Sequence, residues 1–141
     1  MVYQTTDVTC AAASAANILS SWRIVKTEKQ MAEQLETKIG AGTSAAQAIY
    51  GLRKMGIACK KILWSPKQLA NSPQPVMLFI DHPLVGKEGH AVTFMKMKEK
   101  RYVIWDPLIG KQQMTLQKLQ KYWHGRGVLC QKPLTGKVSS K

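Results

Sequence analysis

The stretch from Cys10 to Trp22, C-A-A-A-S-A-A-N-I-L-S-S-W, constrains the fold more than any other part of this chain. Alanine is the strongest helix former, so the run predicts a helix. Side chains this small on every face let neighbours approach from all sides. Such a helix belongs at the centre of a domain, and the rest of the chain has to supply what surrounds it.

The flanking pattern changes period once. A second helix is expected from Thr27, whose hydroxyl can cap while Gln30 reaches back, to near Gly40, with Met31, Leu35 and Ile39 on one face. A third should run from about Ser44 to Met55, capped by Thr43, with Ala45, Ala48, Ile49 and Leu52 as its stripe and Gly56 as its left-handed stop. After Gly56 the signals are those of strands. Ile57 to Trp64 alternates loosely, Ser65-Pro66 opens a short helical turn, and Pro75 to Ile80 is a compact apolar run. His90 to Met97 and Tyr102 to Trp105 read as a hairpin around a charged turn at Lys98 to Lys100. Thr115 can cap a helix to about Tyr122, and Gly127 to Gln131 offers a last strand. Helices first and strands afterwards is the order of an α+β domain with an antiparallel sheet. We read one domain over residues 1–132 and a flexible polar tail over 133–141.

At 141 residues the chain can bury its own core. Its charge is unusual: 21 Lys plus Arg against 8 Asp plus Glu gives +13, and residues 111–141 hold seven basic side chains and no acidic one. Anionic partners suit such a surface, either an acidic or amphipathic peptide or anionic lipid. Nucleic acid is not expected, because aromatics make up only 7% and no contiguous basic block or known module is present. No stretch approaches the length of a membrane span and no signal peptide opens the chain, so it reads as soluble. Cys10, Cys59 and Cys130 are too scattered for a zinc ribbon, and no metal or organic cofactor is expected. Their odd number leaves a free thiol in a monomer, which suits a reducing compartment or a cysteine kept for its chemistry. Cys59 and Cys130 read as core or half-buried thiols, and His82 and His124 as solvated or locally bonded.

Cys10 falls in the first turn of the alanine-rich helix, where unpaired N–H groups and the positive dipole end favour a thiolate. His90 opens a strand and can face that helix end as a base or imidazolium partner. Asp106, sixteen residues later, follows the return strand of the same hairpin, which brings it back beside His90 to fix the ring. Gln4, six residues before Cys10, can add its amide N–H to the Cys10 backbone N–H as oxyanion donors. Asp7 is expected to cap the nucleophile helix, and Trp123 to sit in the core rather than in the cleft wall. Taken singly, each of the four would be a structural residue. Together, in the order Gln, Cys, His, Asp, they describe a nucleophilic site.

Those residues also carry a resemblance. Q-T-T-D-V-T-C from Gln4, G-H-A-V-T-F around His90 and W-D-P-L-I-G around Asp106 resemble the three motif blocks of the C39 cysteine peptidases. The likeness extends through G-A-G-T-S from Gly40 and K-Y-W-H-G-R-G near residue 125, to about residue 132. It implies a papain-like fold with N-terminal helices packed on a C-terminal antiparallel sheet. It also implies thiol proteolysis, often after a double glycine in a leader or precursor peptide, with Cys10 as nucleophile, His90 as base, Asp106 as its orienting carboxylate and Gln4 in the oxyanion hole.

Two departures stand out. Ala11 follows the nucleophile where the family usually has glycine, which takes a methyl's worth of room from the substrate. The chain also lacks the transmembrane helices and Walker A motif of the bacteriocin exporters, so it is either cut from such a transporter or serves another pathway. The expected partner is a peptide or precursor protein, with attachment to a membrane transporter or membrane surface as the wider setting. The expected location is cytoplasmic, at the membrane if the chain is a domain of a larger membrane protein, with periplasm and secretion left open. A weakly active or inactive peptide-binding module, and an acyl transferase on the same frame, are the competing functions.

Overall fold

The computed structural model describes residues 1–6, 9–37, 44–82 and 86–133. The central helix α1 spans Cys10–Ser21, and its side chains are small enough that Ala12, Ala13 and Ala16 are wholly buried. Helix α2 (Glu28–Gln34) starts at Thr27 with the expected reciprocal cap to Gln30. It stops well short of Gly40, because Glu36 turns left-handed (φ 55°) and the Thr37 N–H closes back on the Ala32 carbonyl. Leu35 and Met31 are buried as expected, while Ile39 and Gly40 lie outside the described residues. Helix α3 (Ala45–Lys54) is capped by Ser44 rather than Thr43: the Ser44 side chain accepts from the Gln47 N–H, and Gln47 answers to the Ser44 N–H. Gly56 follows it at φ 88°, the expected stop.

The second half builds a sheet. Its strands are β1 (Cys59–Leu63), β2 (Val76–His82), β3 (Gly86–Lys98), β4 (Arg101–Asp106), β5 (Gly110–Met114) and β6 (Trp123–Cys130). Short helices α4 (Pro66–Ala70) and α5 (Leu116–Tyr122) interrupt them. All pairings are antiparallel, in the order β1-β6-β2-β3-β4-β5. The β3–β4 hairpin turns at Glu99 and Lys100, both at positive φ, as a tight two-residue turn requires.

Two strand expectations need correction, and one strand was not expected. β3 begins at Gly86 rather than His90, β6 begins at Trp123 rather than Gly127, and β5 has no counterpart in the sequence reading. Gly-Lys-Gln-Gln-Met has no β-branched or aromatic residue. It is a strand because Gly110, at φ 106°, folds it back along β4.

Period-two alternation splits the core over both faces of the sheet. Met77 and Ala91 meet α1, α2 and α3 on one face. Val76, Leu78, Ile80, Val92 and Phe94 meet Leu69 of α4 and Leu119 of α5 on the other. Gly51 lets α3 lie close to the end of α2, since a Cβ there would sit 2.7 Å from the Gln34 carbonyl oxygen. Cys59 and Cys130, expected as separate core thiols, face each other across β1 and β6 and form a disulfide, which leaves Cys10 as the free cysteine. Among the described residues no helix is long and apolar enough to cross a membrane. Of the expected tail only Pro133 is described.

Candidate active site

Polar side chains on otherwise apolar surfaces set the position of α1 over β3. Ser14 Oγ donates to the Ala91 carbonyl at 3.0 Å, and Thr93 Oγ1 donates to the Ser14 carbonyl at 3.0 Å. Cys10 is four residues before Ser14, so it occupies the same helix face one turn nearer the N-terminus. There its Sγ receives the Ala91 backbone N–H at 3.4 Å. A single residue of β3 thus meets α1 twice, through its carbonyl and its amide.

β3 also supplies His90, which is 1% exposed. The β3–β4 register pairs Thr93 with Trp105, and continuing it one step puts Asp106 diagonal to His90. His90 Nε2 lies 2.8 Å from Asp106 Oδ1, which also receives the Leu108 N–H at 2.9 Å. With Nε2 committed to Asp106, Nδ1 is the nitrogen left for Cys10, whose side chain hydrogen-bonds the His90 ring. The three expected residues, Cys10, His90 and Asp106, are therefore brought into one chain of contacts.

The electrostatics follow from that chain. Burial alone would hold the Cys10 proton on. The His90 hydrogen bond, the Ala91 amide, the His90 charge and the Ala11 amide outweigh it, so the thiol sits below its ordinary value. Burial likewise disfavours charge on His90, but the hydrogen bonds to Asp106 and Cys10 and their negative charges raise it to about 9. Burial pushes the Asp106 carboxyl up, and His90 with the Leu108 and Ile109 amides brings it below the usual range. All three shifts act in the direction of a thiolate–imidazolium–carboxylate arrangement.

Gln4 is held nearby from three directions. Asn17 of α1 anchors Val2, accepting its N–H at 2.6 Å and donating to its carbonyl at 3.1 Å. The Gln4 N–H reaches the Pro107 carbonyl at 2.8 Å, next to Asp106. Its side-chain Nε2 donates to the Thr6 carbonyl at 2.8 Å, and its Oε1 is buried with no partner. The amide expected to serve an oxyanion thus points its hydrogens at its own loop. Thr9 takes the N-cap position of α1 without a side-chain capping bond, while Asp7, the expected cap, lies outside the described residues.

A cleft of about 340 Å³ opens over the sulfur, walled by Ala11, Ala45, Phe79, Glu88 and Arg126. Of these wall residues the sequence reading tied only Ala11 to the cleft, and it placed Ala45 in the apolar stripe of α3. Phe79 follows from the alternation of β2, whereas Glu88 and Arg126, 3.8 Å apart, come from separate strands and left no local signal. Trp123 is in the core, as expected. His124 is exposed and lies 2.7 Å from Asp81 on β2, a bond between strands rather than a local one. His82 instead packs its ring 5.1 Å from that of His90. Among the described residues no group of three or more His, Cys, Asp or Glu side chains could hold a metal ion.

Solved structures share this architecture. A double glycine motif protease from an AMS/PCAT transporter, in complex with its leader peptide, superposes with a TM-score of 0.80 at 19% identity, covering 92% of this chain and 89% of the other. The peptidase domain of Streptococcus ComA, a bi-functional ABC transporter involved in quorum sensing, gives 0.79 at 18% identity over 92% and 95%. A putative C39-like peptidase from Bacillus anthracis gives 0.71 at 15% identity over 100% and 95%. At such identities the likeness establishes the fold, which is that of C39 papain-like peptidase domains. No curated protein sequence matches the chain. The sequence itself carries the assignment further, because the model of the peptidase C39 family matches it across residues 1–135, and the chain belongs to that family.

Proposed function

We propose that the chain is a thiol peptidase that cuts a leader or precursor peptide after small residues of the double-glycine kind. The Cys10 thiolate attacks the peptide carbonyl, and the Cys10 backbone N–H with the Gln4 amide receives the developing oxyanion. His90 passes its proton to the leaving amine, and the resulting acyl-enzyme is resolved by water. Asp106 holds the His90 ring in the tautomer that leaves Nδ1 toward the sulfur and stabilises the imidazolium. The observation that carries this reading is the unbroken contact from Cys10 through His90 to Asp106 beside an open cleft. Since Gln4 Nε2 is engaged by Thr6, its part requires the amide to swing toward the sulfur as substrate enters. The relatives in transporters, one with a leader peptide bound, support a peptide substrate and work beside a membrane transporter.

The test is cleavage of a synthetic peptide carrying Gly-Gly before the cut. Wild type should cleave it, and Cys10→Ala should abolish cleavage while leaving the melting temperature unchanged. A Cys10→Ala variant that still cleaves removes the nucleophile and with it the proposal. One pair of observations favours the peptide-binding alternative: the Ala11 side chain fills space beside the sulfur, and the Gln4 amide is turned away. Under that reading iodoacetamide labels Cys10 rapidly near neutral pH, yet the peptide binds without being cut.

A further inference from the structure

Glu28 opens α2, where an acid is ordinarily read as a complement to the helix dipole. Its carboxylate is occupied elsewhere. Oε2 receives the Thr5 N–H and the Thr9 hydroxyl, the latter at 2.5 Å, and Oε1 receives the Thr5 hydroxyl at 2.7 Å. Burial pushes the Glu28 carboxyl up, but these donors from Thr5 and Thr9 outweigh it and hold it below the usual carboxylate value.

The two threonines are sequence neighbours of Gln4 and Cys10. Thr5 directly follows Gln4, and Thr9 is the N-cap directly before Cys10. Thr6 and Thr9 add contacts between their hydroxyls, and the Thr6 N–H meets Thr9 Oγ1 at 3.3 Å. Under the clamp, α2 is held by the Thr27–Gln30 cap and by buried Met31 and Leu35. Without Glu28 the segment would keep its anchors at Val2 and Pro107, but among the described residues no other charged group bonds its far end to the head of α1.

We propose that Glu28 is a positioning residue: its carboxylate clamps the segment carrying Gln4 to the start of the helix carrying Cys10, and so fixes the backbone from which the Gln4 amide swings toward the nucleophile. This rests on the peptidase reading for its consequence and on the three hydrogen bonds for its substance. Glu28 touches neither substrate nor sulfur, so its loss should act on the step that needs an oxyanion hole and spare the one that does not.

The experiment compares wild type, Glu28→Gln, Glu28→Ala, Gln4→Ala and the Glu28→Ala/Gln4→Ala double variant. Three readouts are taken: turnover of a fluorogenic Gly-Gly peptide, alkylation of Cys10 by iodoacetamide, and hydrogen exchange at the Thr5 amide. Gln4→Ala should lower kcat about 100-fold. Glu28→Ala should lower it about tenfold with KM little changed, and Glu28→Gln, which keeps the shape, should fall between wild type and alanine. Alkylation should proceed at the wild-type rate throughout, and the double variant should be no slower than Gln4→Ala alone. The Thr5 amide should exchange about tenfold faster in Glu28→Ala. Losses that add in the double variant, or alkylation that slows with turnover, overturn the proposal in favour of a general structural role. Unchanged Thr5 exchange overturns the clamp itself. A wild type that cleaves nothing while Thr5 exchange still depends on Glu28 strikes the peptidase reading and leaves the clamp standing.

Discussion

Thr93 donates its hydroxyl to the carbonyl of Ser14 at 3.0 Å, across the seam between the sheet and the central helix. Ser14 answers by donating to the carbonyl of Ala91, so two buried hydroxyls fix the height of α1 over β3. Because Cys10 is one turn above Ser14, the same pair sets the distance from the sulfur to the Ala91 amide and the His90 ring. Ser14→Ala removes one donor from a wholly buried position. It should cost about 1–2 kcal/mol in urea unfolding, and it should slow alkylation of Cys10 through the misplaced sulfur. An unchanged alkylation rate at reduced stability would confine the pair to folding.

The pH dependence follows from His90. Its value rises from an ordinary 6.5 to about 9, so its charged form is favoured by the folded state. The stability it contributes is fully present below 6.5 and is lost as pH rises through about 9. For turnover the same loss removes the proton donor to the leaving amine, so kcat/KM should fall on an alkaline limb near 9. Alkylation needs only the thiolate and should show no such fall. A turnover profile with its alkaline limb near 6.5 would mean that His90 is not paired as described.

Much of this was legible in the sequence, for identifiable reasons. The meeting of Cys10, His90 and Asp106 was legible because Cys10 opens α1, Asp106 closes β4, and the hairpin's own register returns Asp106 to His90 within β3. Ala91 escaped because its contribution to Cys10 is a backbone amide, which leaves no trace in side-chain identity. Glu28 escaped for another reason: an acid in a first helical turn already has a local explanation. β5 depends on pairing with β4, and its Gly-Lys-Gln-Gln-Met carries no intrinsic strand preference. The Cys59–Cys130 pairing depends on β1 meeting β6 across 71 residues, a register that no local signal encodes.

Asp106→Asn separates orientation from charge. The asparagine side chain keeps an acceptor for the Leu108 N–H but presents no negative charge to the His90 ring. His90 should then lose its proton at lower pH, drawing the alkaline limb of kcat/KM downward. Turnover at neutral pH should fall about 100-fold. Stability carries its own sign: the lowered Asp106 value means that this carboxylate stabilises the fold at neutral pH and ceases to as pH falls through its folded value. The wild type's acid unfolding should therefore be steeper than the variant's, as read by circular dichroism.

The disulfide can be counted. Denatured without reductant, the chain should show one free thiol, from Cys10, and three after reduction. Reduction or a Cys59→Ala/Cys130→Ala double change should cost about 2–4 kcal/mol, without altering Cys10 alkylation. The same count on protein taken directly from its native source bears on location. A cytoplasmic setting keeps thiols reduced and should give three, whereas a bonded pair points to an oxidising compartment.

Ala11 is 2% exposed and shares the cleft wall with the sulfur, so its methyl occupies space where a substrate side chain beside the cut would lie. Ala11→Gly should destabilise the chain by about 0.5–1 kcal/mol, because glycine loses more backbone freedom in a helix. It should also relax selectivity. One methyl in a tight pocket discriminates by roughly 10–200-fold, so the ratio of kcat/KM for peptides with Ala against Gly before the cut should rise by at least about tenfold. Alkylation by iodoacetamide, which makes no demand on that space, should stay at the wild-type rate. If the selectivity ratio does not move, the methyl is not in the substrate's way, and the other apolar wall residues, Phe79 and Ala45, become the next to vary.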